Sequence, residues 1–125
     1  MIRLLIVGTG GFLGSVSRNM LSGLVHRLFT QAAFPYGTLT VNVLGCLAVG
    51  LLSGLAESRQ LFSPELRLLM FIGFLGGFTT FSTFGYEFVS FVRDGQLTGA
   101  LMNLMLHLIL GLGAVWTGFA LSRTI

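Results

Sequence analysis

Most side chains of this sequence that could do chemistry are neutral hydrogen-bonding groups inside apolar runs. The densest set follows Gly76-Gly77 and consists of hydroxyls and one carboxyl: Thr79, Thr80, Ser82, Thr83 and Glu87. Hydroxyls can donate hydrogen bonds to a small anion, whereas a cation pathway would need acidic rings or exposed carbonyls and a polyvalent anion would need arginines. The alternative is that these hydroxyls bond back to their own helix.

Phenylalanines are interleaved with these hydroxyls at helical spacing. Seven of the twelve recur at steps of three or four residues: Phe71, Phe74, Phe78, Phe81, Phe84, Phe88 and Phe91. Such a stripe is ordinarily packed core or a lipid-facing surface. The edges of aromatic rings carry partial positive charge, so Phe81 and Phe84 could line a path for a small anion without presenting a full positive charge.

Further polar residues lie in the other apolar runs. Asn42 could donate its amide to an anion, although joining helices is the commoner role of such an amide. His107 lies four residues after Asn103 on the same helix face, where hydrogen bonding within the bundle is a commoner role than catalysis or metal binding. Arg18 could snorkel to the membrane surface, or it could make the mouth of a cavity electropositive and concentrate anions.

No enzyme site can be assembled from the sequence. Serine, histidine and acidic residues share no motif, metal-ligand spacing is absent, and the glycine-rich run 8–14 lacks the preceding strand that a dinucleotide loop needs. Cys46 is the single cysteine, so it allows neither an internal disulfide nor a cysteine metal cluster. The net charge of +3 includes no lysine and no basic run. We therefore expect neither an enzyme nor a nucleic-acid-binding protein.

The elements that position these residues are predicted to be transmembrane helices. Hydrophobic residues make up 54% of the 125 positions and charged residues only 9%, which is too little charge to cover a soluble domain. A helix needs about 20 apolar residues to cross a bilayer. The gaps between charges then give four spans, at about 4–25, 37–56, 68–92 and 97–122. The predicted fold class is all-α integral membrane, with 1–125 forming a single transmembrane domain.

The third span has the least regular helix sequence. Ser63-Pro64-Glu65 is typical of a helix start, but near the centre two glycines precede two β-branched threonines, Thr79 and Thr80. We expect either a break there or a continuous helix in which Gly73 and Gly77 form a packing notch. A break at membrane depth survives only where protein buries it, where it lines a cavity or where it holds an ion.

Positive charges are split almost evenly between the two predicted sides of the membrane. One side would hold Arg3, Arg59, Arg67 and Arg123, and the other Arg18, Arg27 and Arg93. The positive-inside rule sets orientation by an excess of such charges on one side. Two hypotheses stay open: a dual topology with both orientations paired as an antiparallel homodimer, or a single topology set by Arg3.

Three stretches resemble the CrcB/Fluc fluoride channel family. The most specific is GGFTTFSTF at 76–84, accompanied by GTLTVNVLG at 37–45 and GGFLG at 10–14 with Arg18 downstream. The resemblance covers the whole chain. It implies four transmembrane helices per chain, the third broken near the midplane, in an antiparallel dual-topology homodimer with two fluoride pores.

The resemblance also implies roles for individual residues. It places pore phenylalanines at Phe81 and Phe84, the pore asparagine at Asn42, and a polar track on Ser82, Thr83 and Glu87. It implies a structural Na⁺ at the dimer centre, held by the backbone carbonyls of Gly76 and Thr79. Thr80, Arg18 and His107 complete our candidate pore residues. One departure is that Gly111 and Val115 stand where some members carry hydroxyls on the fourth helix.

The expected function is a fluoride-selective channel in the cell (inner) membrane. Fluoride would leave the cell passively down its electrochemical gradient, which would protect the cell from fluoride toxicity. One alternative is a small proton-coupled multidrug exporter, in which Glu87 would have to serve because the first span has no carboxylate. The other is a non-transporting subunit of a membrane assembly, in which the polar residues within the spans would join helices.

Overall fold

The computed structural model describes residues 1–59 and 62–125, and every regular element in those residues is helical. The side chain of Arg59 lies outside the described part. Four helical stretches follow one another, and the third is subdivided. The elements are α1 (Ile2–Leu28), α2 (Tyr36–Arg59), α3 (Pro64–Arg67), a π-helical segment (Leu68–Leu75), α4 (Gly76–Phe78), α5 (Phe81–Arg93) and α6 (Leu97–Ser122). The prediction of an all-α chain is confirmed.

The start of the third stretch has the predicted capping chemistry. Ser63 is the N-cap of α3, and its hydroxyl accepts a hydrogen bond from the Leu66 N–H at 3.2 Å. Pro64 stands at the first helical position, where a missing N–H does no harm. Local sequence therefore determines where this helix begins.

Two residues separate α4 from α5, and both have extended backbones. Thr79 has φ −83° and ψ 155°, and Thr80 has φ −148° and ψ 111°. Gly76 and Gly77 remain helical, although their low helix propensity made them part of the predicted weak point. The break therefore falls on the two β-branched residues, whose side chains favour an extended backbone, and not on the preceding glycines.

The glycines of the third stretch are used for close packing against α1. A Cβ atom on Gly77 would lie 2.6 Å from the Gly11 carbonyl oxygen, and one on Gly10 would lie 2.6 Å from the Leu69 carbonyl oxygen. Gly73 meets Gly10 in the same crossing. Small residues that let helix backbones approach closely are typical of membrane helix pairs. The packing notch and the extended threonines therefore occur in the same stretch, one directly after the other.

The helices form two closely packed pairs. α2 packs most extensively against α6, and α1 packs against the π-helical segment and α4. The exterior is apolar, with Leu112 69% and Trp116 61% exposed on α6. Large apolar side chains on most of the outer surface match lipid as the surrounding solvent.

Among the described residues, three helical stretches are long and apolar enough to cross a membrane: Tyr36–Ser58, Pro64–Arg93 and Leu97–Ser122. α1 is not among them, because its glycines, its serines, Asn19 and Arg18 lower its mean hydropathy. The prediction of four spans is therefore supported by length and composition for three of them.

Candidate functional site

The side-chain amide of Asn42 is bonded to the extended backbone between α4 and α5. Asn42 Nδ2 donates to the Thr80 carbonyl oxygen at 3.1 Å, and the Thr80 N–H donates to Asn42 Oδ1 at 2.9 Å. An extended residue cannot make helical backbone hydrogen bonds, and apolar surroundings offer no water to replace them. Asn42 acts here as a substitute peptide group, which joins α2 to the third stretch.

This arrangement removes the helical donors from two backbone carbonyls. In a continuous helix the N–H of Thr80 would bond to the Gly76 carbonyl, and the N–H of Thr83 to the Thr79 carbonyl. Instead Thr80 donates to Asn42, and the Thr83 N–H donates to Thr80 Oγ1 at 3.3 Å. Gly76 and Thr79 both line a cavity of about 430 Å³. These are the two residues whose carbonyls the sequence resemblance assigns to a cation.

The hydroxyls after Thr79 form a mutual group. Thr80 Oγ1 lies 3.2 Å from Ser82 Oγ and 3.0 Å from Thr83 Oγ1. Thr79 behaves differently, because its hydroxyl donates back to the Leu75 carbonyl at 2.9 Å. The alternative that hydroxyls bond back to their own helix therefore describes Thr79, whereas Thr80, Ser82 and Thr83 gather at the start of α5.

Aromatic rings form one wall of the 430 Å³ cavity. The ring centroids of Phe81 and Phe84 are 5.6 Å apart with a tilt of 53°, and the rings of Phe84 and His107 are 4.5 Å apart. Phe81, Phe84 and His107 line the cavity together with Asn42 and Thr80. Phe81 is 82% exposed in the single protomer, so the cavity wall is incomplete on this side.

Glu87 faces a second cavity, of about 330 Å³. The Thr38 hydroxyl donates a hydrogen bond to Glu87 Oε1, and both residues line this cavity. Asn19, Ser22 and His26 add further polar groups to its wall. The lining is thus markedly more polar than that of the first cavity.

The candidate pore residues therefore divide among several places. Five line the first cavity, namely Asn42, Thr80, Phe81, Phe84 and His107, and Gly76 and Thr79 join them there. Ser82 and Thr83 contact Thr80. Glu87 lines the second cavity, and Arg18, half-buried on α1, lines neither of the two. The structure does not bring Arg18 and Glu87 into one chamber with the two phenylalanines.

Comparison with known proteins identifies the family. Residues 5–119 match the model described as "CrcB-like protein, Camphor Resistance (CrcB)". The chain belongs to the CrcB-like family. Every residue of both cavities named above falls within the matched range.

Curated relatives of this CrcB-like chain match it over nearly its full length. A protein of Methylobacillus flagellatus is 43% identical over 98% of this chain and 96% of its own, and is named "Fluoride-specific ion channel FluC". A protein of Maridesulfovibrio salexigens with the same name is 42% identical over 100% of this chain and 98% of its own. A third, of Geobacter sulfurreducens, is 43% identical over 98% of both and is also so named.

Two residues of this CrcB-like chain belong to the site region but were not among the candidate pore residues. Thr38 is bonded to Glu87, and its position four residues before Asn42 on one helix face was the available signal. Asn103 is fully buried, at 0% exposure, and its carbonyl accepts a hydrogen bond from His107 Nδ1 at 2.9 Å. Its shared face with His107 was visible in the sequence, but its complete burial depends on how α6 packs.

Proposed function

We propose that this CrcB-like protein is a fluoride ion channel that exports F⁻ passively down its electrochemical gradient and so protects the cell from fluoride toxicity. The observation that carries the proposal is the cavity in which neutral donors and ring edges surround the extended residues Thr79 and Thr80. The names of relatives that are 42–43% identical over almost the whole chain support the same function. No catalytic step is involved.

The cavity chemistry suits a small, strongly hydrated anion. A pore must replace the water around fluoride with donors, without binding the ion so tightly that it stalls. Hydroxyls at Thr80, Ser82 and Thr83 offer neutral donors, and Asn42 Nδ2 keeps a second hydrogen beyond the one given to Thr80. The edges of Phe81 and Phe84 add partial positive charge without a buried arginine.

The channel is proposed to be an antiparallel, dual-topology homodimer in the cell inner membrane, with four spans per chain. The exposure of Phe81 at 82% beside an open cavity supports a second protomer on this face. The third span would be broken near the midplane at Thr79 and Thr80. Irregular backbone at that depth is tolerated where it is buried in protein or lines a cavity, and Thr79 and Thr80 line the 430 Å³ cavity.

The proposed dimer centre would hold a structural Na⁺. The Gly76 and Thr79 carbonyls have lost their helical donors to side chains and line the open cavity, and oxygen ligands suit a hard cation. Two copies of the chain would supply four such carbonyls. The ion would fix the two protomers together and neutralise the ends of the interrupted helices.

Fluoride efflux from liposomes loaded with fluoride tests the proposal directly. Purified protein is expected to release fluoride to an external electrode once a potassium ionophore removes the membrane potential, at the same initial rate with or without a proton gradient. A rate that follows the proton gradient would instead favour the exporter alternative. Folded, dimeric protein that releases no fluoride would overturn the proposal and favour a non-transporting subunit.

A further inference from the structure

Asn103 presents a polar side chain to the protein interior without a hydrogen bond of good geometry to the described residues. The residue is 0% exposed, and both Nδ2 and Oδ1 lack a hydrogen-bond partner among the described residues. Buried polar atoms are normally paired, and each exception calls for an explanation such as a water or an ion. A second protomer cannot supply the partner, because Asn103 has no surface that another chain could reach. The missing partner must be small enough to enter the bundle.

Two neighbours of Asn103 also have unpaired buried atoms. The Asn103 side chain interacts with the Glu87 carboxyl, but Glu87 Oε2 makes no hydrogen bond of good geometry in the described part of the chain. His107, one turn further along α6, has the same deficiency at Nε2. Glu87 lines the 330 Å³ cavity and His107 lines the 430 Å³ cavity. Asn103 therefore contacts one residue of each cavity.

The hydrogen-bonding character of the four unpaired atoms indicates which small molecule or ion can bind them. The atoms are Asn103 Nδ2, Asn103 Oδ1, Glu87 Oε2 and His107 Nε2. A backbone carbonyl can only accept, so the bond at 2.9 Å means that His107 Nδ1 carries its proton and that Nε2 of the neutral ring is an acceptor. For the ionised form of Glu87, these four unpaired atoms are three acceptors and one donor, Asn103 Nδ2. Fluoride needs donors and a cation is repelled by an N–H group. Water both donates and accepts, and so fits this set.

We propose that Asn103 holds a buried water molecule, which it shares with Glu87 and His107 and which links the two cavities. The water accepts from Asn103 Nδ2 and donates to His107 Nε2 and to one of the other two acceptors. We also assign this water a role in conduction, and this role rests on the proposed function as a fluoride channel. When fluoride reaches the cavity beside Phe84 and His107, one O–H turns from His107 Nε2 to the ion. This supplies the donor that Gly111 and Val115 cannot provide on α6.

The water itself can be detected without any transport measurement. The chain has three asparagines, Asn19, Asn42 and Asn103, so selective ¹⁵N labelling of asparagine gives a simple side-chain spectrum. In nanodiscs, the Nδ2 protons of Asn103 are expected to show a nuclear Overhauser effect to water that is distinct from chemical exchange. Asn103→Leu identifies the signal by its loss. Absence of the water contact in the wild-type protein would overturn the proposal.

Flux measurements test the assigned role of the water. Asn103→Leu has a similar volume but cannot bind water, and fluoride flux is expected to fall about tenfold, as for a lost donor in the rate-limiting step. Asn103→Ser keeps a hydroxyl and room for water, and is expected to retain most of the flux. Met102→Leu, at an exposed neighbouring position of α6, serves as the control.

The two proposals fail in different ways. Equal flux in the Asn103→Leu and Met102→Leu proteins would overturn the role of the water in conduction even if the water is detected. Wild-type protein without fluoride flux would overturn the proposed channel, while the nuclear Overhauser measurement would still decide whether the water is present. If Asn103→Leu fails to fold, the comparison of Asn103→Ser with wild type decides: a tenfold loss in that variant contradicts the proposed role.

Discussion

Asn42 and Thr80 form a reciprocal pair of hydrogen bonds, with Asn42 Nδ2 3.1 Å from the Thr80 carbonyl oxygen and the Thr80 nitrogen 2.9 Å from Asn42 Oδ1. One side chain thereby satisfies both backbone groups of an extended residue in an apolar region. From the sequence, Asn42 was expected either to join helices or to donate its amide to an anion, and the structure bears on both hypotheses. The amide connects two helices, and it does so at the edge of the proposed ion cavity.

Removal of this pair is expected to destabilise the protein and stop conduction. Asn42→Ala leaves two backbone groups of Thr80 without partners, and each lost hydrogen bond costs about 0.5 to 1.5 kcal/mol, so the free energy of unfolding should fall by about 1 to 3 kcal/mol. Titration with denaturing detergent in mixed micelles measures it. Gln96→Ala removes an exposed amide that makes no capping bond and should change little. Equal stability of the two variants would contradict the assigned role of Asn42.

The ring-edge hypothesis concerns Phe81 and Phe84. Replacing either by isoleucine keeps an apolar side chain of comparable reach but removes the positive ring edge. Fluoride flux from liposomes is expected to fall by at least about tenfold, which corresponds to about 1.4 kcal/mol at the barrier, while cross-linking still detects the dimer. Phe12→Ile, at an exposed position on α1, is the matched control. Unchanged flux in both Phe81→Ile and Phe84→Ile would remove the rings from the mechanism.

The crossing of α1 over the third stretch depends on Gly10. Gly10→Ala would place a Cβ atom 2.6 Å from the Leu69 carbonyl oxygen, and such overpacking costs about 1 to 3 kcal/mol. Gly8, half a turn away, has no atom within 4 Å of a Cβ position. Gly8→Ala should therefore be neutral or stabilising by up to about 1 kcal/mol. Thermal denaturation of the two variants compares these effects, and a similar melting temperature for both would argue against the close contact.

The proposed sodium site gives a prediction that needs no mutation. Na⁺ bound only by the folded dimer would stabilise it by about 2.7 kcal/mol when present at about one hundred times its dissociation constant. Replacement of Na⁺ by an organic cation of equal ionic strength should lower the melting temperature of the dimer. Thr79→Ser keeps the backbone carbonyl and should keep this sodium dependence. An equal melting temperature in both salts would contradict the proposed sodium site at the Gly76 and Thr79 carbonyls.

Several features of the fold could be read from the sequence because they depend on neighbouring residues alone. The helical character follows from long runs without charge, and the start of α3 follows from the Ser63 cap and Pro64. The position of the extended residues is harder to predict. Low helix propensity marks Gly76 and Gly77 as well as the threonines, yet the glycines stay helical and Gly77 packs closely against Gly11, a tertiary contact that propensity does not predict.

The arrangement of the candidate site depended more strongly on tertiary packing. The family resemblance placed Glu87 on one polar track with Ser82 and Thr83, whereas in the structure Glu87 lines the cavity that contains Thr38. The complete burial of Asn103 arises from the packing of α6 against the other helices. The gaps between charges predicted a span in α1 as well, but its polar residues set it apart from the three more apolar stretches.

The most direct measurement of the central claim is the reversal potential of the current through purified protein in a planar bilayer. With a tenfold gradient of fluoride and equal concentrations of all other ions, we expect the current to reverse at the fluoride equilibrium potential, about 59 mV from zero, whatever the pH difference across the bilayer. A current that reverses near zero, or that follows the proton gradient, would contradict a passive fluoride channel.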